Sequence, residues 1–91
     1  MEPIIKRYPN GNIEYQKYLI NGKLHREGGP AVIGYYENGT IEYQGYFLNG
    51  ISLPLEIVQT MVRELGISDD FRKWDDEQIL MFQFHFLIMV G

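Results

Sequence analysis

His25, Arg26 and Glu27 stand side by side in the stretch Lys23-Leu-His-Arg-Glu-Gly-Gly-Pro30. An imidazole, a guanidinium and a carboxylate on one corner could supply a general base, a donor for an oxyanion or phosphate, and a second carboxylate. No nucleophile adjoins the histidine in the chain. A salt bridge within a turn is therefore the simpler reading, and no catalytic residue is assigned. His85 is the second of two histidines and there are no cysteines, a poor metal-ligand set, so no metal or cofactor is expected. Asp69-Asp70 and Asp75-Asp76-Glu77 lack the spacing and glycine of a calcium loop and read as helix starts. The second cluster, Asp75, Asp76 and Glu77, also offers charge to a basic partner protein.

The elements that must position these groups are announced by a repeat. Tyr8-Pro-Asn-Gly-Asn-Ile-Glu-Tyr-Gln-Lys-Tyr-Leu-Ile-Asn-Gly22 returns 28 residues later as Tyr36-Glu-Asn-Gly-Thr-Ile-Glu-Tyr-Gln-Gly-Tyr-Phe-Leu-Asn-Gly50, with 10 of 15 positions identical. A period in this range marks a unit that buries its face only against a neighbour. Four Asn-Gly pairs separate the apolar runs, each a signal for a type I′ hairpin turn. Strands are expected at about Ile4–Tyr8, Ile13–Ile20, Ala31–Tyr36 and Ile41–Leu48. Alternation places Ile13, Tyr15, Lys17 and Leu19 on one face, matched by Ile41, Tyr43, Gly45 and Phe47. That face is the expected core, which leaves Tyr18 and Tyr46 on the outer side as candidate contact residues. Gly45, where the first copy has Lys17, implies either a bend in the sheet or the close approach of another group. Gly28-Gly29-Pro30 implies a sharp corner carrying His25, Arg26 and Glu27, which join Tyr18 and Tyr46 as candidate partner-contact residues.

The pattern changes at Pro54. Leu55, Val58, Met61, Val62 and Leu65 recur at helical spacing, with Pro54 suited to a helix start and Gly66 to its stop. A helix is predicted over about 55–65. Trp74 reads as an anchor between the two acidic caps. Beyond them the spacing predicts a short helix ending near Met81, then a strand from about Phe82 to Met89, because Phe82, Phe84, Phe86, Ile88 and Val90 alternate. The expected class is α+β: an antiparallel sheet of two hairpin repeats over 3–53, closed by a helical cap with a final strand over 54–91, in one domain.

Net charge is −4 with both signs scattered, which argues against nucleic acid as the main ligand. The start of the chain has no apolar run typical of a signal peptide, and Ile79 to Val90 is too short to span a bilayer. Together with the absence of cysteine this fits a cytoplasmic protein. A pair of hairpins has open strand edges, and Phe82, Phe84 and Phe86 form an apolar row. A homodimer through that row is one expectation; a central strand of the chain's own sheet is the other.

Tyr15-Gln-Lys-Tyr-Leu-Ile-Asn-Gly-Lys-Leu-His25 resembles the MORN repeat, with pattern Tyr-x-Gly, four residues, Gly, two residues, His-Gly-x-Gly. The second copy matches at Tyr43, Gly45 and Gly50 but has Leu53 at the histidine position. The run from Asn21 to Ala31 is similar to a variant of tailed phages and giant viruses ending in His-Arg-Glu-Asp-Gly-Pro-Ala, with Gly28 replacing the aspartate. The resemblance spans about 3–53. It implies β-hairpin repeats without a catalytic role, and links to lipid or protein binding, of which the acidic chain favours protein. It also implies a viral setting, with a small inhibitor of a host protein, such as an anti-CRISPR or other anti-defence factor, as the expected function. The alternative expectation is a small-ligand binder that cradles a nucleotide-like anion on the tyrosine-lined sheet beside Arg26.

Overall fold

The computed structural model describes residues 2–90. Eight strands and two helices follow in chain order, giving an α+β fold: β1 (Ile4–Arg7), β2 (Ile13–Lys17), β3 (Leu19–Ile20), β4 (Lys23–Leu24), β5 (Val32–Tyr35), β6 (Ile41–Gly45), β7 (Phe47–Leu48), β8 (Ile51–Ser52), α1 (Leu55–Leu65) and α2 (Asp76–Val90). The side chains of Met89 and Val90 lie outside the description. β1, β2, β5 and β6 form an antiparallel sheet in that order, while β3–β4 and β7–β8 are separate two-stranded hairpins.

The 28-residue repeat is a structural one. Gly11 and Gly39 both sit at φ +90°, and the pairs Asn21-Gly22 and Asn49-Gly50 both have two successive positive φ values. Only the second kind of turn is type I′, as expected. At Asn10-Gly11 and Asn38-Gly39 the asparagine keeps negative φ. There the glycine N–H bonds the carbonyl three residues back, at 2.9 Å to Tyr8 and 3.0 Å to Tyr36. These are three-residue loops in which the glycine forms a bulge; a second bulge, at Glu14 and at its counterpart Glu42, accounts for the register shifts opposite Lys6/Arg7 and Gly34/Tyr35.

The long strands expected at 13–20 and 41–48 break at Tyr18 and Tyr46. Tyr18 N–H bonds Ala31 O within the sheet, but its carbonyl turns to accept from His25 N–H in the hairpin. Tyr46 repeats the second half of this, accepting from Leu53 N–H at 2.9 Å. Alternation holds, but the buried face is the opposite of the expected one. Fully buried Ile33 pairs with Gln16 and Gln44, and Tyr46 lies on that side at 3% exposure. Tyr43, expected in the core and three residues away on the other side, is 50% exposed. Gly45 is approached by the chain's own Phe47 ring, which an added Cβ would meet at 2.8 Å.

α1 covers the predicted span. Val58, Met61 and Val62 are buried and Leu65 packs beside them, whereas Leu55 stays 55% exposed. Gly66 ends the helix in the left-handed conformation, with its N–H and that of Ile67 bonding Arg63 O and Val62 O. Asp70 accepts from Arg72 N–H and caps a 3₁₀ turn at Phe71–Lys73. Trp74 is the anchor its position implies: its indole N–H donates to Ser68 O at 2.6 Å and its ring lies 4.7 Å from that of Phe82. Asp75 and Gln78 cap α2 reciprocally, each side chain accepting the other's backbone N–H, at 2.8 and 3.2 Å.

The final strand expected over 82–89 does not form; α2 is one helix from Asp76 to Val90. In a helix, residues four apart share a face and residues two apart do not. Phe82 and Phe86 therefore both enter the core at 0% exposure, with ring centroids 5.2 Å apart, while Phe84 points away at 70%. The core thus gathers Tyr46, α1, Trp74 and one face of α2.

Candidate functional site

The corner formed by β4 and the Gly28-Gly29-Pro30 turn brings His25, Arg26 and Glu27 together, and each is held by a different part of the fold. His25 is 8% exposed. Its Nδ1 accepts the backbone N–H of Asn49 at 2.9 Å, so in the neutral ring the proton sits on Nε2. That nitrogen faces Glu27 Oε2 at 3.4 Å, and Glu27 Oε1 accepts from the Gln83 amide of α2 at 3.1 Å. One chain of polar contacts therefore ties the β7–β8 turn, the corner and α2. The Arg26 guanidinium lies 4.1 Å over the Tyr18 ring and donates to Pro30 O at 3.2 Å. Gly29 leaves the room this needs, because a Cβ there would stand 3.1 Å from the guanidinium carbon. Gly28 does the same for α2: its missing Cβ would meet Ile79 at 3.1 Å.

Beside these groups lies a shallow pocket of about 260 Å³, lined by Ile20, His25, Arg26, Glu27, Gly28 and Gln83. The lining contains no hydroxyl or thiol. Both imidazole nitrogens have partners within the fold, so the ring clamps the β7–β8 turn to the corner. His85, expected on a strand, projects instead from α2, with Nε2 3.3 Å from Glu64 Oε2 of α1 and outside hydrogen-bonding geometry. No group of acidic or histidine side chains fit to hold a metal ion occurs among the described residues.

Of the other predicted contact residues, Tyr18 carries Arg26 at the half-buried corner. Tyr46 is a correction: it is core, tilted against Phe82 and Phe86, and burial pushes its phenol up to about 12. Asp75, Asp76 and Glu77 are exposed at the start of α2, with Asp75 committed to its cap. Phe82 and Phe86 are likewise corrected from interface to core, which leaves Phe84 alone of the three at the surface.

Phe84 has neighbours that the strand reading did not bring together. Leu80 is 65% exposed, Ile88 64% and Leu87 41%, and Leu80, Gln83, Phe84 and Leu87 line a groove of about 210 Å³. A helical projection of 76–90 would have shown this second apolar face. It was masked because the helix is apolar all round and so has little amphipathic signal. Gln83 borders both the groove and the corner pocket.

Among the described residues no helix is long and apolar enough to cross a membrane. Comparison with models of known protein families, with curated proteins and with solved structures finds no match to this chain.

Proposed function

We propose that this chain is a non-enzymatic protein-interaction module whose contact surface is the outward face of α2. The observation that supports it is the exposure of Leu80, Phe84 and Ile88 on a helix without a charged residue from Gln78 to Val90. Isolated exposed leucines are ordinary, but a contiguous apolar face beside a polar corner is the composition of an interface centre and its rim. The hairpin pair is a MORN-like scaffold in this reading. It seats α2 through Ile79 against Gly28 and through the Glu27–Gln83 hydrogen bond. The partner is a protein, since a net charge of −4 opposes a phosphate backbone. Within that reading, the likeness of Asn21–Ala31 to a viral repeat supports a small inhibitor of a host protein acting in the host cytoplasm, with an anti-CRISPR or other anti-defence factor as the type. A nucleotide-like ligand is less well supported, because Tyr46 is buried and the pocket beside Arg26 also presents Glu27.

The test is a photo-crosslinking amino acid at position 84, and at exposed Thr40 as control, in cells expressing the chain. Protein adducts at 84 and none at 40 are expected. Equal yields, or none at 84, would reject α2 as the contact surface.

A further inference from the structure

The outward face of α2 has a symmetry of its own. Leu80 and Ile88 stand four residues before and four after Phe84, about 6 Å along the axis to either side. Leu87 widens the row beside Ile88, and Met81, 38% exposed, does so beside Leu80. We propose that the occupant of this face is a second copy of the chain, docked antiparallel about a two-fold axis passing beside Phe84. This rests on the reading of α2 as a protein-contact surface and names the partner.

Three observations favour a copy over a foreign surface. The row is self-complementary: a two-fold at Phe84 brings Leu80 of one copy onto Ile88 of the other, large residue against large residue, as an isologous contact requires. It carries no charge between Gln78 and Val90, so nothing in its centre repels an identical face in spite of the net charge of −4. The size also fits. Leu80, Met81, Phe84, Leu87 and Ile88 together leave roughly 600 Å² open, at the upper limit of what a monomer ordinarily exposes in one patch. Fully covered, two such faces remove at most roughly 1,200 Å² from water, the lower bound of a stable specific interface. Antiparallel crossing opposes the two helix dipoles and keeps the acidic N-termini, Asp75 to Glu77, at opposite ends. Gln83, which borders both the groove and the pocket of Arg26 and Glu27, then lies on the flank of the contact as part of a polar rim.

Sedimentation equilibrium of the purified chain at micromolar concentration, with circular dichroism as a check on folding, tests the proposal. Wild type is expected at twice the chain mass. Phe84→Lys is expected to be a folded monomer, and Ile51→Lys, at a 71% exposed site elsewhere, a dimer like wild type. The absence of native cysteine gives a second readout that does not depend on the lysine variant folding. Under mild oxidation Phe84→Cys should link to itself, and a mixture of Leu80→Cys and Ile88→Cys chains should link to each other faster than either links to itself. A monomeric wild type overturns the second copy, as does a Phe84→Lys chain that stays dimeric. A monomer that pellets with phosphatidylcholine vesicles overturns it in favour of a lipid surface. If the wild type is monomeric while position 84 still crosslinks a foreign protein in cells, the copy is excluded and the interaction surface stands; if position 84 crosslinks nothing, both fall.

Discussion

His25 Nδ1 accepts the backbone N–H of Asn49 at 2.9 Å, across 24 residues of chain. The first repeat thus reaches forward to hold the turn of the second. Tyr8 does the same when its hydroxyl donates to Tyr35 O, and so does Asn12 when its amide donates to Glu37 O. The second repeat has no third to reach, and its residues differ accordingly. Tyr36, the counterpart of Tyr8, is 52% exposed, and Leu53, the counterpart of His25, packs on the helical core. The exchange of histidine for leucine is where the repeat array hands over to its cap.

Replacing His25 by Ala should release the Asn49 N–H to water, since Asn49 is exposed, and cost about 1 kcal/mol, the net worth of a typical hydrogen bond. Urea denaturation measures the loss. Hydrogen exchange at Asn49 should accelerate more than at Asn21, whose turn His25 does not hold. Equal exchange at the two asparagines would reject the clamp.

Gly39→Val should cost on the order of 1–3 kcal/mol through backbone strain alone. Nothing lies within 4 Å of an added Cβ at this position, yet φ is +90°. Thermal melts of Gly39→Val and Gly39→Asn separate the two causes. Asparagine, which tolerates positive φ, should recover most of the stability; a crowding effect would leave both equally unstable.

Phe82 and Phe84 should behave oppositely. Phe82→Ala empties a fully buried site between Trp74 and Phe86 and should cost about 3–5 kcal/mol. Phe84→Ala removes a side chain 70% exposed and should change the unfolding free energy of the separated chain by no more than ~0.5 kcal/mol. Chemical denaturation at concentrations low enough to exclude association provides the comparison.

The Tyr46 phenol links stability to alkaline pH. Its ordinary value is 10.0 and burial raises it to about 12, so the unfolded chain releases this proton first. Stability is retained below pH 10 and falls as pH rises toward 12, by on the order of 2–3 kcal/mol from this residue. Tyr46→Phe should flatten that decline without abolishing it, because burial also raises Tyr8 and Tyr35. Tyrosinate absorbance followed beside circular dichroism reads both events, and an unchanged slope in Tyr46→Phe would reject the linkage.

Much of this fold was legible in the chain because its signals are local. The conformations at Gly11 and Gly39, and at Asn21 and Asn49, follow from backbone chemistry that needs no distant partner. The span of α1, with Pro54 before it and Gly66 after, follows in the same way, as do the caps at Asp70 and Asp75. What tertiary structure decided is everything that depends on which face finds a partner. Residues 82–90 satisfy a period of 2 as well as a helix, because they are apolar on every side. The choice falls to helix where Phe82 and Phe86 can meet Trp74 and Tyr46 together. Tyr46 in turn enters the core because Val58, Phe82 and Phe86 pack on its side of the strand rather than on that of Tyr43, a choice that alternation does not make. The apolar face of Leu80, Phe84 and Ile88 is the remainder of that choice, since packing one side of α2 inward necessarily leaves its other side in water.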